Sequence, residues 1–74
     1  MKKAFYSWLL QFKSDNTPLG DLARDAKEDK EFPRHSTSYK NIKAHLDFNS
    51  ASIDALEIFE RAFVRYKEEM QMGS

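Results

Sequence analysis

Cysteine is absent from this chain of 74 residues, which excludes disulfides, thiolate nucleophiles and thiolate metal sites. Small secreted domains usually depend on disulfides, so we expect a protein of the reducing cytoplasm. No apolar run approaches the roughly 18 residues of a membrane span. The apolar segment after Lys2 and Lys3 is interrupted by Ser7 and Gln11, and no small-residue cleavage site follows it, so a signal peptide is not predicted.

Net charge is also absent, because twelve basic residues balance twelve acidic ones. Neutrality argues against non-specific attraction to nucleic acid or anionic lipid, which needs concentrated positive charge. The charges nevertheless fall in blocks: residues 1–14 carry +3, residues 15–31 carry −3, residues 32–46 carry +3 and residues 47–74 carry −3. This pattern predicts separate positive and negative surfaces on one small protein.

Apolar residues recur three and four positions apart in four segments, and no segment alternates with the period of two that is typical of strands. The sequence therefore predicts an all-α protein, with one domain over residues 1–74 and an ordered core over about residues 4–70. The predicted elements are helix 1 over about residues 3–13, helix 2 from Pro18 to about Lys30, a short helix 3 from Tyr39 to about Asp47, and a long C-terminal helix of about 18 residues after the connector 48–52.

Helix starts are marked by residues whose side chains accept a hydrogen bond from a free backbone amide. Thr17 and Ser38 fit this role before the second and third helices, and either Ser50 or Ser52 fits it before the last helix. Gly20 has two interpretations. It weakens the first turn of the second helix, or it allows another backbone to approach that turn closely.

The apolar stripes of the four helices predict a single aromatic core. Tyr6 and Leu10 lie off the stripe of the first helix, so they either form an exposed patch or pack against the long helix. The predicted core residues are Phe5, Trp8, Leu9, Phe12, Leu22, Ala26, Tyr39, Ile42, Leu46, Leu56, Phe59 and Phe63.

Several landmarks also have the order and spacing of a known family. They are the run Phe5–Leu10, the pair Glu28-Asp29 before Phe32-Pro33, the stretch Ser36–Tyr39, and Ile42 with Leu46. Over about residues 4–69 the chain resembles the YozE family of short bacterial proteins, whose fold is like that of the sterile alpha motif. The resemblance implies a compact four-helix bundle, and it implies no activity and no catalytic residue. Folds like the sterile alpha motif serve as protein interaction modules that often self-associate, and related helical folds bind nucleic acid.

No group of side chains predicts catalysis, a cofactor or a metal. His35 and His45 are the only histidines, and no spacing of His, Asp or Glu supplies the three or four ligands of a metal site. The carboxylates between residues 28 and 31 are neighbours on a helix end, so they point apart instead of converging as acid and base. The cluster Ser36–Ser38 beside His35 is interpreted as a helix cap, not as a nucleophile with its base. We therefore predict that the protein is not an enzyme.

The charge blocks predict one basic and one acidic face, which can meet head to tail on neighbouring molecules. We predict a non-enzymatic protein interaction module that binds itself or another protein through these faces. The alternative is a weak nucleic-acid-binding domain that uses the basic segment 34–45, since two or three phosphate contacts give only weak, salt-sensitive binding. The hypothetical basic face is Arg34, Lys40 and Lys43, and the hypothetical acidic face is Asp21, Asp25, Glu28 and Asp29.

Overall fold

The backbone forms helices where the apolar spacing predicts them. The computed structural model describes residues 3–49 and 52–72, and within these residues there are helices and no strand. The long α4 spans about 30 Å at 1.5 Å per residue, and α1, α2 and α3 all pack against it, while α1 also packs against α2. The four helices are α1 (Phe5–Leu10), α2 (Pro18–Glu28), α3 (Tyr39–Phe48) and α4 (Ile53–Met72).

Side-chain caps begin three of these helices. The Thr17 hydroxyl accepts a hydrogen bond from the backbone N–H of Gly20 at 3.1 Å. The Ser38 hydroxyl accepts one from Asn41 at 3.3 Å, and the Ser52 hydroxyl accepts one from Ala55 at 3.1 Å. The predicted caps of α2 and α3 are therefore confirmed, and Ser52 caps α4. The alternative cap, Ser50, lies outside the described residues.

The first helix is shorter than predicted. It ends at Leu10 instead of about residue 13, and the chain continues as a tighter turn. In that turn the N–H groups of Phe12 and Lys13 donate to carbonyls three residues back, at 3.0 and 3.1 Å. This turn brings the Phe12 ring to 5.0 Å from the Trp8 ring. Helix α3 is short, as predicted, with 10 residues, and α1 with 6 residues is shorter still.

The second helix also ends early, at Glu28 instead of about Lys30. Asp29 leaves the helical conformation, with a ψ angle of 105°. One oxygen of its carboxylate accepts the backbone N–H of Glu31 at 3.0 Å, and the other bonds to His45. These two bonds stabilise the turn that replaces the last helical residues.

Rings from α1 and α4 form the centre of the core. Phe5 is fully buried, and its ring lies 5.1 to 5.7 Å from four other rings, those of Trp8, Phe59, Phe63 and Tyr66. The Trp8 indole N–H donates to the Glu69 carboxylate at 3.0 Å, which satisfies the one polar atom of that buried side chain. The buried cluster comprises Phe5, Tyr6, Trp8, Leu9, Leu22, Ala23, Ala26, Phe32, Ile42, Phe59, Ala62, Phe63 and Tyr66.

Four predicted core residues are less buried than expected. Phe12, Tyr39 and Leu46 are half-buried and pack against the edge of the cluster. Leu56 is half-buried outside the cluster, so its assignment to the core was wrong. It lies on the first turn of α4, before the buried positions 59, 62, 63 and 66 that the other helices cover.

The two open interpretations of the first helices are resolved by packing. Tyr6 is buried, so it forms no exposed patch, and its ring packs at 5.5 Å against Phe32 of the loop before α3, a partner that neither interpretation named. Leu10 is half-buried against the cluster. Gly20 marks a close backbone approach. A Cβ atom at this position would overlap the backbone oxygen of Asp15 and lie 2.9 Å from the backbone oxygen of Phe12.

The core boundary can be tested with one substitution at two leucines. Leu9→Ala empties a fully buried site, so we expect the free energy of unfolding to fall by about 2–5 kcal/mol. Leu56→Ala shortens a half-buried side chain outside the cluster, so we expect a loss of about 1 kcal/mol or less. Urea unfolding measures both losses, and equal losses would contradict the boundary.

Helix propensity and steric fit predict opposite effects of Gly20→Ala on stability. In an open helix this change stabilises by about 1 kcal/mol. Here the added Cβ meets backbone atoms of the preceding turn, so we expect a loss of about 1–3 kcal/mol. Asp25→Ala on the exposed side of the same helix is the control and should change stability by less than about 0.5 kcal/mol. A higher melting temperature for Gly20→Ala would argue against the close approach.

Candidate interaction surfaces

A positive surface lies where the N-terminus of α1 meets the loop before α3. The two segments are joined by a hydrogen bond from the Phe5 N–H to the Ser36 carbonyl at 3.3 Å. Between them is an open depression of about 630 Å³. We call it the basic depression; its lining residues are Lys3, Ala4, Tyr6, Ser7, Arg34, His35 and Thr37.

A series of ring contacts positions Arg34 in the basic depression. Its guanidinium carbon lies 5.1 Å from the centre of the Tyr6 ring, within the range of a cation–π contact. The Tyr6 ring packs on Phe32, which is only 5% exposed and anchors the loop to the core. Phe32 also meets the His45 ring edge-on, at 5.6 Å. The loop therefore holds Arg34 against a fixed aromatic support.

A hydrogen bond between His45 and Asp29 fixes the base of the same loop. His45 Nε2 lies 2.7 Å from Asp29 Oδ2. In the tautomer that donates from Nε2, Nδ1 accepts a hydrogen bond from the Asn49 amide at 3.3 Å. The hydrogen bond from His45 lowers the pKa of Asp29 below its ordinary value, and the positive charge of Arg34 adds to this effect. The carboxylate is therefore stabilised in its ionised form.

Among the described residues, the cations Lys3 and Arg34 of the basic depression have no carboxylate within ion-pair distance, although the charge of Arg34 reaches Asp29. Within residues 3–49 and 52–72, Lys3, Arg34 and His35 form no ion pair with a carboxylate. Lys3 is 31 positions from Arg34 along the chain, and the predicted basic face did not include it. The only signal for it was its place in the positive block of residues 1–14.

The other two residues of the predicted basic face lie on α3. Lys43 donates to the Asp47 carboxylate at 3.0 Å, and this hydrogen bond raises the pKa of Lys43. Lys40 is exposed and lies outside the basic depression. The structure thus groups Arg34 with Lys3 and His35, and it engages Lys43 with an acid of its own helix.

Three of the four predicted acidic residues lie along the exposed side of α2. Asp21, Asp25 and Glu28 are spaced at i, i+4 and i+7, which places them on one face. Asp21 pairs with Arg24, whose guanidinium also donates to the backbone oxygens of Lys13 and Asp15, at 2.8 and 3.1 Å. Asp29 is turned away from this face toward His45. We call Asp21, Asp25 and Glu28 the acidic stripe.

Residues 3–49 and 52–72 contain no group of three His, Asp or Glu side chains arranged to hold a metal ion. Across the same residues, every helix is too short or too polar to cross a bilayer.

Comparison with known proteins places the chain in a family. The family described as the YozE SAM-like fold matches residues 4–68. The chain belongs to this family. A UPF0346 protein of Latilactobacillus sakei is 30% identical over 73 residues, which cover 96% of this chain and 99% of that protein. The UPF0346 protein YozE of Bacillus subtilis is 30% identical over 70 residues, covering 92% of this chain and 95% of the relative. No solved structure gives a significant match.

The Asp29–His45 pair predicts a pH dependence of stability. Because the folded-state pKa of Asp29 is lowered, its ionised form stabilises the fold above the unfolded-state pKa. That contribution is lost as the pH falls through the folded-state pKa. We therefore expect the wild type to exceed Asp29→Asn in unfolding free energy at about pH 5, and the difference to shrink as the pH falls below the ordinary pKa of an aspartate, about 3.9.

Chemical unfolding at a series of pH values measures this difference. Asp25→Asn is the matched control, because the Asp25 side chain makes no hydrogen bond or ion pair with any described residue. Its difference from the wild type should stay small throughout. A constant gap between wild type and Asp29→Asn across the pH series would contradict the assignment.

Proposed function

We propose that this protein is a non-enzymatic interaction module that self-associates by bringing its basic depression against an acidic surface of a second copy. The observation that carries the proposal is that Lys3 and Arg34 line one depression and form no ion pair with a described carboxylate, in a chain with zero net charge. An acidic surface on the same molecule makes a second copy an electrostatically matched partner. The absence of cysteine suits a cytoplasmic setting for this role.

The rigidity of the basic depression supports a binding role. Arg34 rests on Tyr6, and Tyr6 rests on the buried Phe32, so the guanidinium is held near one position before a partner arrives. A pre-organised charge loses less side-chain entropy on binding than a mobile one. Arginine on an aromatic support is also among the side chains enriched at the centres of protein interfaces.

Nucleic acid is the rival partner. That function would use Arg34, Lys40 and Lys43 as phosphate contacts, and Arg34 and Lys40 are free of ion pairs with the described carboxylates. Lys43 is bonded to Asp47, so it would have to exchange that acid for a phosphate. Two open cations favour only weak binding to a polyanion. We therefore place protein binding first.

Sedimentation velocity at rising protein concentration tests the proposed function. We expect the wild type to show an average mass that rises with concentration and falls as salt is added, because salt screens the charged contact. Arg34→Glu places an acid in the basic depression, so we expect its self-association to weaken by at least about tenfold.

Lys27→Glu is the matched control for the change in net charge, since Lys27 lies on α2 outside the basic depression. It should associate as the wild type does. A wild type that stays monomeric at all concentrations and binds a labelled single-stranded oligonucleotide in a salt-sensitive manner would overturn self-association in favour of the rival.

A further inference from the structure

Three large apolar side chains of the described residues are exposed. Among the described residues they are Phe48, Ile53 and Val64, with 87%, 76% and 58% of their surface accessible. Phe48 is the last residue of α3 and Ile53 is the first of α4. Five positions of chain separate them, so their Cα atoms lie within about 18 Å of each other. Large exposed apolar residues at two helix ends joined by a short connector are more typical of a contact surface than of solvated helix ends.

Open carboxylates flank this apolar pair. Residues 46–60 carry four acidic side chains and no lysine or arginine. Two of the four are engaged, since Asp47 binds Lys43 and Glu60 accepts a hydrogen bond from the Tyr39 hydroxyl at 3.0 Å. Asp54 and Glu57 are exposed and form no ion pair with a described residue. We call Phe48, Ile53, Asp54 and Glu57 the α3–α4 surface.

The acidic stripe of α2 lacks the apolar part of such a surface. Its members are all charged, and Asp21 is already paired with Arg24. Contacts between exposed charges alone contribute little in water, because solvation and side-chain entropy offset the attraction. Specific interfaces combine a central aromatic or aliphatic anchor with charges that align it. Only the α3–α4 surface of the two acidic surfaces offers both.

Resting on the proposed function, we propose that the α3–α4 surface is what the basic depression of a second copy binds. Phe48 packs into the depression beside Tyr6, and the carboxylates of Asp54 and Glu57 meet the cations there, Arg34 among them. The two surfaces lie on different parts of the chain, so the contact is heterologous. Of two bound copies, one keeps its basic depression free and the other keeps its α3–α4 surface free. Association therefore continues into a ring or a filament instead of stopping at a dimer.

Paired variants test this assignment in the full chain. Phe48→Ser and Arg34→Glu each disable one surface, so we expect each alone to associate at least about tenfold more weakly than the wild type. An equimolar mixture of the two should form a heterodimer and nothing larger, because each variant supplies the one surface that the other lacks. Val64→Ser, which alters an exposed apolar residue outside the α3–α4 surface, is the control and should associate as the wild type does.

The outcomes separate this inference from the proposed function. Phe48 is 87% exposed, so Phe48→Ser should keep the wild-type melting temperature, and loss of association is then not a loss of folding. If Phe48→Ser associates normally while Asp25→Lys does not, the acidic stripe is the partner surface: the inference is overturned and the proposed function stands. A mixture that stays monomeric would mean that the basic depression and the α3–α4 surface do not bind each other, which also overturns the inference. A monomeric wild type overturns both.

Discussion

The packing of Phe5 against rings of α4 is the contact on which the rest of the structure depends. A helix of 6 residues, such as α1, is not stable alone in water, because helix nucleation is costly and short helices recover too few hydrogen bonds. Phe5 lies against Phe59, Phe63 and Tyr66, and each such ring pair contributes about 0.5–1.5 kcal/mol beyond its buried area. α1 is therefore helical because α4 supports it. The N–H of Phe5 in turn bonds to the loop before α3, so the basic depression is built on the same contact.

Local sequence signals predicted the helices and their caps. The features they missed depend on contacts between residues far apart in the chain. The caps at Thr17 and Ser38 depend on neighbours three residues away, so the sequence was sufficient to place them. The early end of α2 depends on Asp29 meeting His45, which lies 16 positions along the chain, and no local rule encodes that pairing. Leu56 has the right spacing for the core, but α4 is longer than the helices that cover it, so spacing alone could not exclude it.

The sequence predicted that the protein has one positive and one negative surface, but it did not predict which residues form the positive one. Blocks of one sign along the chain indicated separate positive and negative surfaces. The residues of the positive surface differ from those predicted. Lys3 lines the same depression as Arg34, whereas Lys43 pairs with Asp47 on its own helix. The second change was within reach of the sequence, since Lys43 and Asp47 have the i, i+4 spacing of a helical ion pair. The first was not, because residues 31 positions apart meet only through tertiary packing.

The single tryptophan provides an intrinsic fluorescence signal. Trp8 is 1% exposed, and its indole hydrogen bonds to Glu69, a residue 61 positions away on the last turns of α4. Any movement that lifts the end of α4 from α1 breaks that bond and admits water to the indole at the same time. Emission from the unlabelled protein therefore registers whether the two ends of the chain are seated together, in dilute solution or within a larger assembly.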